Sequence, residues 1–277
     1  MDRILNFIFT LTLLVLVVVA AGPNQQIQML IAFFLAGAIG LLAFLMKLLT
    51  LDGAHAAVII GTITLGLGGE TAAVILIVFF LTGSWLAKLN HFWHEKHKHP
   101  WEDTRRNGLQ VWANGFWFCV FLVVYFVTKE QMWYVIAVAS LAVANADTWA
   151  TEIGTLTDRF RTLLITNFKP VPAGVNGGVS LNGTLASLLG SILIAAVYGG
   201  LVVRDNSTDF LIIIVCGVLG CIADSYFGAL VQTDELDLFI PGFTYEKLVI
   251  GNNAVNWMAT GVGAIIAFLI YSVLATI

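Results

Sequence analysis

The chain has 277 residues, of which 59% are hydrophobic and only 11% charged, with a formal net charge of −4. Those proportions exclude a soluble globular domain, and no basic stripe points to a nucleic-acid partner. The three cysteines, Cys119, Cys216 and Cys221, lie in apolar stretches without metal-ligand spacing and read as buried reduced thiols.

Apolar segments recur at the roughly 20-residue length that crosses a bilayer as a helix, so the expected fold class is all-α, a polytopic transmembrane helix bundle. Nine candidate spans follow in chain order, at about 4–21, 27–46, 54–68, 71–87, 109–127, 132–150, 180–202, 209–230 and 254–275. Residues 1–277 form one integral membrane domain, with two peripheral spans in 1–50 and the catalytic core in 51–277. The first span has only a loose cleavage-site match after it and reads as uncleaved. The third, containing GTITLGLGG, is short and Gly-rich, as a re-entrant or broken helix would be, and His55 opens it on the inner side. With the N-terminus cytoplasmic and the C-terminus outside, eleven Lys and Arg residues fall on the inner face and only Lys129 and Arg204 outside. The long connections, about 88–108, 151–179 and 231–253, are then all inner ones, so an active surface faces the cytoplasm. Glu70, Glu130 and Asp209 stand isolated at the outer side. The run NHFWHEKHKHP, with His91, His94, His97 and His99, reads as a solvated interfacial loop rather than a metal site.

Polar clusters gather at the inner ends of the later spans. In RRNGLQVWANG, Arg106, Gln110 and Asn114 share a helical face, and an arginine followed by two amides suits a phosphate. In NADTWATEIG, Asn145, Thr148 and Glu152 share one face, while Asp147 pairs with Thr151 on another. Asp147 and Glu152 stand about 140° apart on a regular helix, so a shared ion needs a helix break or a ligand from another segment. In KPVPAGVNGGVSLNG, Gly174, Asn176, Gly177 and Gly178 precede a span, where backbone N–H groups and the helix N-terminus favour an anion, and Lys169 supplies a charge. A plain turn entering a helix is the competing reading there.

The second acid-bearing segment is GCIADSYFGALVQ. Asp224, Gly228 and Gln232 follow at i, i+4 and i+8, with Gly217, Gly220 and Cys221 extending a small-residue stripe that lets a neighbouring helix approach. Ala146-Asp147-Thr148-Trp149 is echoed by Ala223-Asp224-Ser225-Tyr226, each followed by a loop with a lysine (Lys169, Lys247) and then Gly and Asn, a weak internal duplication. Asn252, Asn253 and Asn256 in GNNAVN open the last span, and at least one reads as its cap. Carboxylates with amides suit Mg²⁺, which takes oxygen ligands and phosphate partners, so Asp147, Glu152 and Asp224 are the expected metal ligands. Phosphoryl transfer needs positioning and charge neutralisation above all. A lipid-phosphate kinase or nucleotidyltransferase at the membrane surface is the reading these residues support.

The motifs ADTWATEIG, VPAGVNGGVSLNGT, IADSYFGALVQ, RNGLQVWANG and GNNAVN together resemble those of the transmembrane-protein-19 family (domain of unknown function 92), from about Leu51 to the C-terminus. That family includes phytyl-phosphate kinase of plants and cyanobacteria. The resemblance implies an Mg²⁺-dependent conversion of an isoprenyl monophosphate, such as phytyl phosphate, to its diphosphate with a nucleoside triphosphate, CTP being the expected donor. It implies a place in isoprenoid and tocopherol biosynthesis, in a cell inner membrane or, for a photosynthetic source, a thylakoid or plastid membrane. Asp147, Glu152, Asp224 and Lys169 would carry catalysis. Substrate binding would use Arg106, Gln110, Asn114, Asn145, Thr148, Thr151, Gly174, Asn176, Gly177, Gly178, Ser225, Gln232, Asn252, Asn253, Asn256 and His55. The chain departs from the family at Val175-Asn176, where relatives often read Thr-Asp. A CDP-lipid-forming cytidylyltransferase and, from another class, a transporter using intramembrane acids are the alternatives.

Overall fold

A computed structural model describes residues 6–8, 10–11, 22–94, 105–156, 162–202, 207–237 and 247–274. Among these, seven long helices account for most of the chain: α1 (Pro23–Leu45), α2 (Leu51–His94), α3 (Gly108–Thr128), α4 (Gln131–Leu156), α5 (Leu181–Leu201), α6 (Ser207–Leu230) and α7 (Asn252–Leu274). Six of them, all but α4, are long and apolar enough to cross a membrane. The protein is therefore a polytopic α-helical membrane protein. The expected span at 4–21 lies mostly outside the described residues.

The expected spans 54–68 and 71–87 both fall in α2, which is interrupted at Gly69 (φ 79°, ψ −172°). A positive φ of this kind is open to glycine and strained for other residues. A straight helix would set Gly53 and Gly83 about 45 Å apart. Instead, a Cβ added at Gly53 would meet the Arg106 carbonyl, and one at Gly83 would meet the Arg106 guanidinium. The two arms of α2 therefore fold back on each other, and the Gly-rich run is a break between them. α2 also continues to His94, so the histidine-rich stretch starts on a helix. His97 and His99 lie outside the described residues.

α4 occupies the centre, packed against α2, α3, α5, α6 and α7. Residues 134–146 are buried without interruption. The sequence allows this because Ala and Ser recur along that stretch and glycines on neighbouring helices face it. A Cβ placed at Gly220 or at Gly263 would come within 2.3 Å of Val143 Cγ2, and one at Gly217 within 3.3 Å of Ala142. Close backbone approach supplies the dispersion contacts that hold helices together where lipid gives no hydrophobic drive. The stripe expected on α6 is this seam. All three cysteines are buried and free.

Two short β elements supplement the bundle. β1 (Thr162–Leu164) is the centre of a three-stranded antiparallel sheet with β2 (Pro170–Val171) and β3 (Gly178–Val179), in the order β2-β1-β3. β4 (Thr233–Asp237) pairs antiparallel with β5 (Lys247–Ile250). The start of α3 is held firmly: Asn107 and Gln110 form a reciprocal capping box, Asp52 Oδ2 accepts from Gly108 N at 2.7 Å, and Leu49 bridges to Arg106. At the opposite end of the bundle Asp209 is not isolated, as the sequence suggested, because it accepts from Tyr198 Oη at 2.8 Å and from Tyr271 Oη. Glu130 accepts from Trp133 Nε1 at 3.1 Å.

Candidate active site

The two acid-bearing helix ends meet. Asp147 on α4 and Asp224 on α6 lie with their carboxyl groups within hydrogen-bonding reach of each other. Two like charges so close call for a proton or a cation between them. Both line a cleft of about 180 Å³. Its walls also carry Thr151 of α4, Ser225 and Gly228 of α6, Gln232, Asn252 at the start of α7, and the loop from Ala173 to Gly178. Asn256 backs the acid: with its amide oriented to donate, it reaches Asp224 Oδ2 at 3.2 Å and the Asn252 carbonyl at 3.0 Å.

The glycine loop is seated by shape. Gly177 has φ +74°, and a Cβ there would fall 2.4 Å from Ala229 Cβ, so the loop backbone presses onto the end of α6. Gly174, at φ +86°, has open space where a Cβ would go. The sheet fixes both ends of the loop, with Ile165 N donating to Gly177 O at 3.0 Å. Directly after it, Ser180 caps α5, its Oγ accepting from Gly183 N at 3.2 Å. The cleft is thus lined by a helix N-terminus and a glycine loop together with two carboxylates. Anions are favoured at the first and cations at the second.

Sequence reasoning missed Ser180, Thr184, Ser187 and Cys221 as cleft residues. The three hydroxyls recur at spacings of four and three, one face of the entering helix, and that periodicity was the available signal. Of the expected residues, Asp147, Thr151, Gly174, Asn176, Gly177, Gly178, Asp224, Ser225, Gln232 and Asn252 line the cleft. Lys169 is exposed on the turn before β2, and His55 is exposed near the start of α2. Neither lines the cleft, and nor does Asn253.

The remaining residues sit on the other side of α4. Glu152 Oε2 accepts from Asn90 Nδ2 at 2.7 Å, and the same amide donates to Thr155 Oγ1 at 2.8 Å. Asn145 is fully buried and donates to Gly190 O at 2.7 Å, which makes it a tie between α4 and α5. Thr148 Oγ1 donates back to Ala144 O at 2.8 Å. Gln110 is committed to the α3 capping box. Arg106 lies over Phe79 and Phe80, 5.4 and 5.8 Å from the ring centroids. Burial lowers its pKa from the usual arginine range, and the charge of Glu152 opposes that shift. Among the described residues no group of three or more His, Cys, Asp or Glu side chains is placed to share a metal ion. The structure brings together two acids of the expected three, and the helical angle between Asp147 and Glu152 is the reason.

The pair still suits a hard divalent cation. It offers carboxylate oxygens beside hydroxyl and amide oxygens in an open cleft, the donor set Mg²⁺ takes when phosphate oxygens and water complete its shell.

The fold and cleft are those of an integral membrane protein with a polar site at one end of its helix bundle. The chain belongs to the family described as Integral membrane protein DUF92, whose model matches residues 32–264. It is similar to "Uncharacterized membrane protein MJ0933" of Methanocaldococcus jannaschii, at 31% identity over 228 residues, covering 80% of this chain and 86% of that protein. It is also similar to "Protein PGR" of Arabidopsis thaliana, 29% identical over 271 residues (85% and 93% of the two chains). A further relative is "Protein VTE6, chloroplastic" of the same plant, 28% identical over 228 residues (80% and 65%). No solved structure matches.

Proposed function

We propose that this protein is an Mg²⁺-dependent membrane phosphotransferase that converts an isoprenyl monophosphate, phytyl phosphate or a close relative, to its diphosphate with a nucleoside triphosphate, CTP being the expected donor. The observation that carries the reading is the convergence of Asp147 and Asp224, from two separate helices, on a cleft that is also lined by a glycine loop and the N-terminus of α5. The family resemblance drawn from the motifs agrees with it. The distribution of Lys and Arg along the chain turns this end of the bundle toward the cytoplasm, where nucleotide is supplied.

In this reading the donor's phosphates lie against the loop from Ala173 to Gly178 and the first turn of α5, where backbone N–H groups and the helix dipole receive negative charge. Mg²⁺, held by Asp147 and Asp224, would neutralise phosphate oxygens that otherwise repel the acceptor. An oxygen of the lipid monophosphate attacks the γ-phosphorus, the bond from that phosphorus to the β–γ bridging oxygen breaks, and the nucleoside diphosphate departs. The second pKa of a phosphate monoester is about 6, so the nucleophile is already ionised at neutral pH. The acids are therefore needed for charge and position rather than for proton removal.

The test is to incubate purified protein in detergent with phytyl phosphate, Mg²⁺ and each nucleoside triphosphate in turn, and to identify the products by mass. Phytyl diphosphate with a nucleoside diphosphate is expected. A CDP-lipid with pyrophosphate would replace the kinase by a cytidylyltransferase, and unchanged substrates under every nucleotide would remove the phosphotransferase reading.

A further inference from the structure

A second cavity, of about 520 Å³, lies between α1, the two arms of α2 and the start of α3. Its lips are Leu35, Ile39 and Leu42 of α1 and Val74, Ile77 and Leu81 of the second arm of α2. These six side chains line the cavity and are also 38–56% exposed, so it opens sideways, between two membrane-length helices, toward lipid. From Glu70 to Leu81 the lining of that arm extends about 16 Å along the helix. The walls are mostly apolar: Thr64 and Glu70 enter near the break in α2, and Arg106, Gln110 and Asn114 enter at the other end. A guanidinium in such a place is costly unless it meets negative charge, and the charge of Glu152 supplies part of that here, with the Phe79 and Phe80 rings beneath it. The same end abuts the acidic cleft. Asn256 lies between the two: one orientation of its amide donates to Asn114 Oδ1 at 3.4 Å, and the other donates to Asp224 Oδ2 at 3.2 Å. Thr148, next to Asp147 in the chain, shares the space over Gly83 with the Arg106 guanidinium.

We infer that this cavity binds a single-chain isoprenyl or alkyl monophosphate, its tail between α1 and the second arm of α2 and its phosphate on Arg106 and Asn114. Charge complementarity selects the head and the apolar slot selects the tail. The inference rests on the proposed reaction for one point, that the bound phosphate is the acceptor: it enters from the lipid side and is presented beside the acids, while the nucleotide enters the cleft from water.

The experiment needs no turnover. Protein in vesicles of neutral lipid is irradiated with hexadecyl phosphate carrying a diazirine near the tail end, without nucleotide, and the adducts are mapped by peptide mass. Adducts are expected on residues 35–40 and 73–77, away from the Arg106 end. Unlabelled phytyl phosphate should compete at least about 10-fold better than phytol, since Arg–phosphate contacts are charge-assisted. Arg106→Gln should lower labelling by a similar factor. Adducts spread evenly over α5, α6 and α7, or equal competition by phytol or by phosphatidic acid, would overturn the inference. The wild-type labelling pattern decides the matter even if Arg106→Gln does not fold. Labelling of the cavity without any turnover would leave this inference standing and remove the kinase reading. Turnover with labelling elsewhere would do the reverse.

Discussion

Asp147 and Asp224 put two acids side by side at the end of a helix seam, which costs stability unless something positive sits between them. Asp147→Asn and Asp224→Asn should each reduce turnover on the order of 10²-fold or more, because an electrostatic element of the site is lost. The melting temperature in detergent without Mg²⁺ should hold or rise, since like-charge repulsion is relieved. A normal rate at saturating Mg²⁺ in either variant would remove that residue from the site. Glu152→Gln is expected to behave differently. Its carboxylate lies on Asn90 and near Arg106, so Mg²⁺ dependence should persist while the KM for the lipid phosphate changes. Titrating Mg²⁺ against rate in the three variants separates the roles. The glycine loop gives a matched comparison: Gly177→Ala adds a Cβ 2.4 Å from Ala229 Cβ, whereas Gly174→Ala meets only open space. Both carry the cost of a positive φ, about 1 kcal/mol or more. Gly177→Ala must also displace the loop, so the KM for the nucleotide should rise clearly more in that variant.

At the scale of elements, the i+4 spacing of Asp224, Gly228 and Gln232 was a sound guide: the first two lie on α6, Gln232 follows two residues after its end, and all three line the cleft. On α4 the i, i+3, i+7 spacing joined Asn145, Thr148 and Glu152, and that face looks toward the structural side of the helix. Helical periodicity groups residues into faces, but it does not tell which face meets the ligand. The seam around α4 can be tested by overpacking. Gly220→Val would drive side-chain atoms into Val143, costing about 1–3 kcal/mol or more. Gly37→Ala on α1 meets nothing within 4 Å and should leave stability unchanged or slightly raised. The yield and melting temperature of monodisperse protein in detergent check both. Equal behaviour of the two variants would show that the close approach at Val143 does not hold the bundle together.

For the whole molecule, α4 is the organising element, packed against five of the six helices that are apolar enough to face lipid, while α1 packs on α2. A lipid-soluble carbene reagent generated within the bilayer should label α1 at exposed positions such as Leu30, Ile31 and Phe34 and spare residues 134–146. Labelling of that central stretch at the level of α1 would contradict the enclosed position of α4. The arrangement also explains how a chain with so few charges keeps a polar site. The acids lie where α4 and α6 end, beside a loop and a sheet that supply backbone donors, so they do not have to be solvated by hydrocarbon.

Hydropathy and length, which act locally along the chain, determined by themselves the membrane class, most helix positions, the break at the Gly-rich run, and Asp147 and Asp224 as the residues to watch. Residue chemistry likewise marked the glycine loop before α5. Only the tertiary structure decided that the two acids touch, that Glu152 and Asn145 turn away from them, and that Ser180, Thr184 and Ser187 complete the cleft wall. It alone revealed α4 as a helix without a lipid face, and an apolar cavity ending at Arg106. The physical reason is that a helix angle and a hydrophobic run are set by neighbours in sequence. Which faces meet is set instead by where small residues let backbones approach, and those partners lie tens of residues apart in the chain.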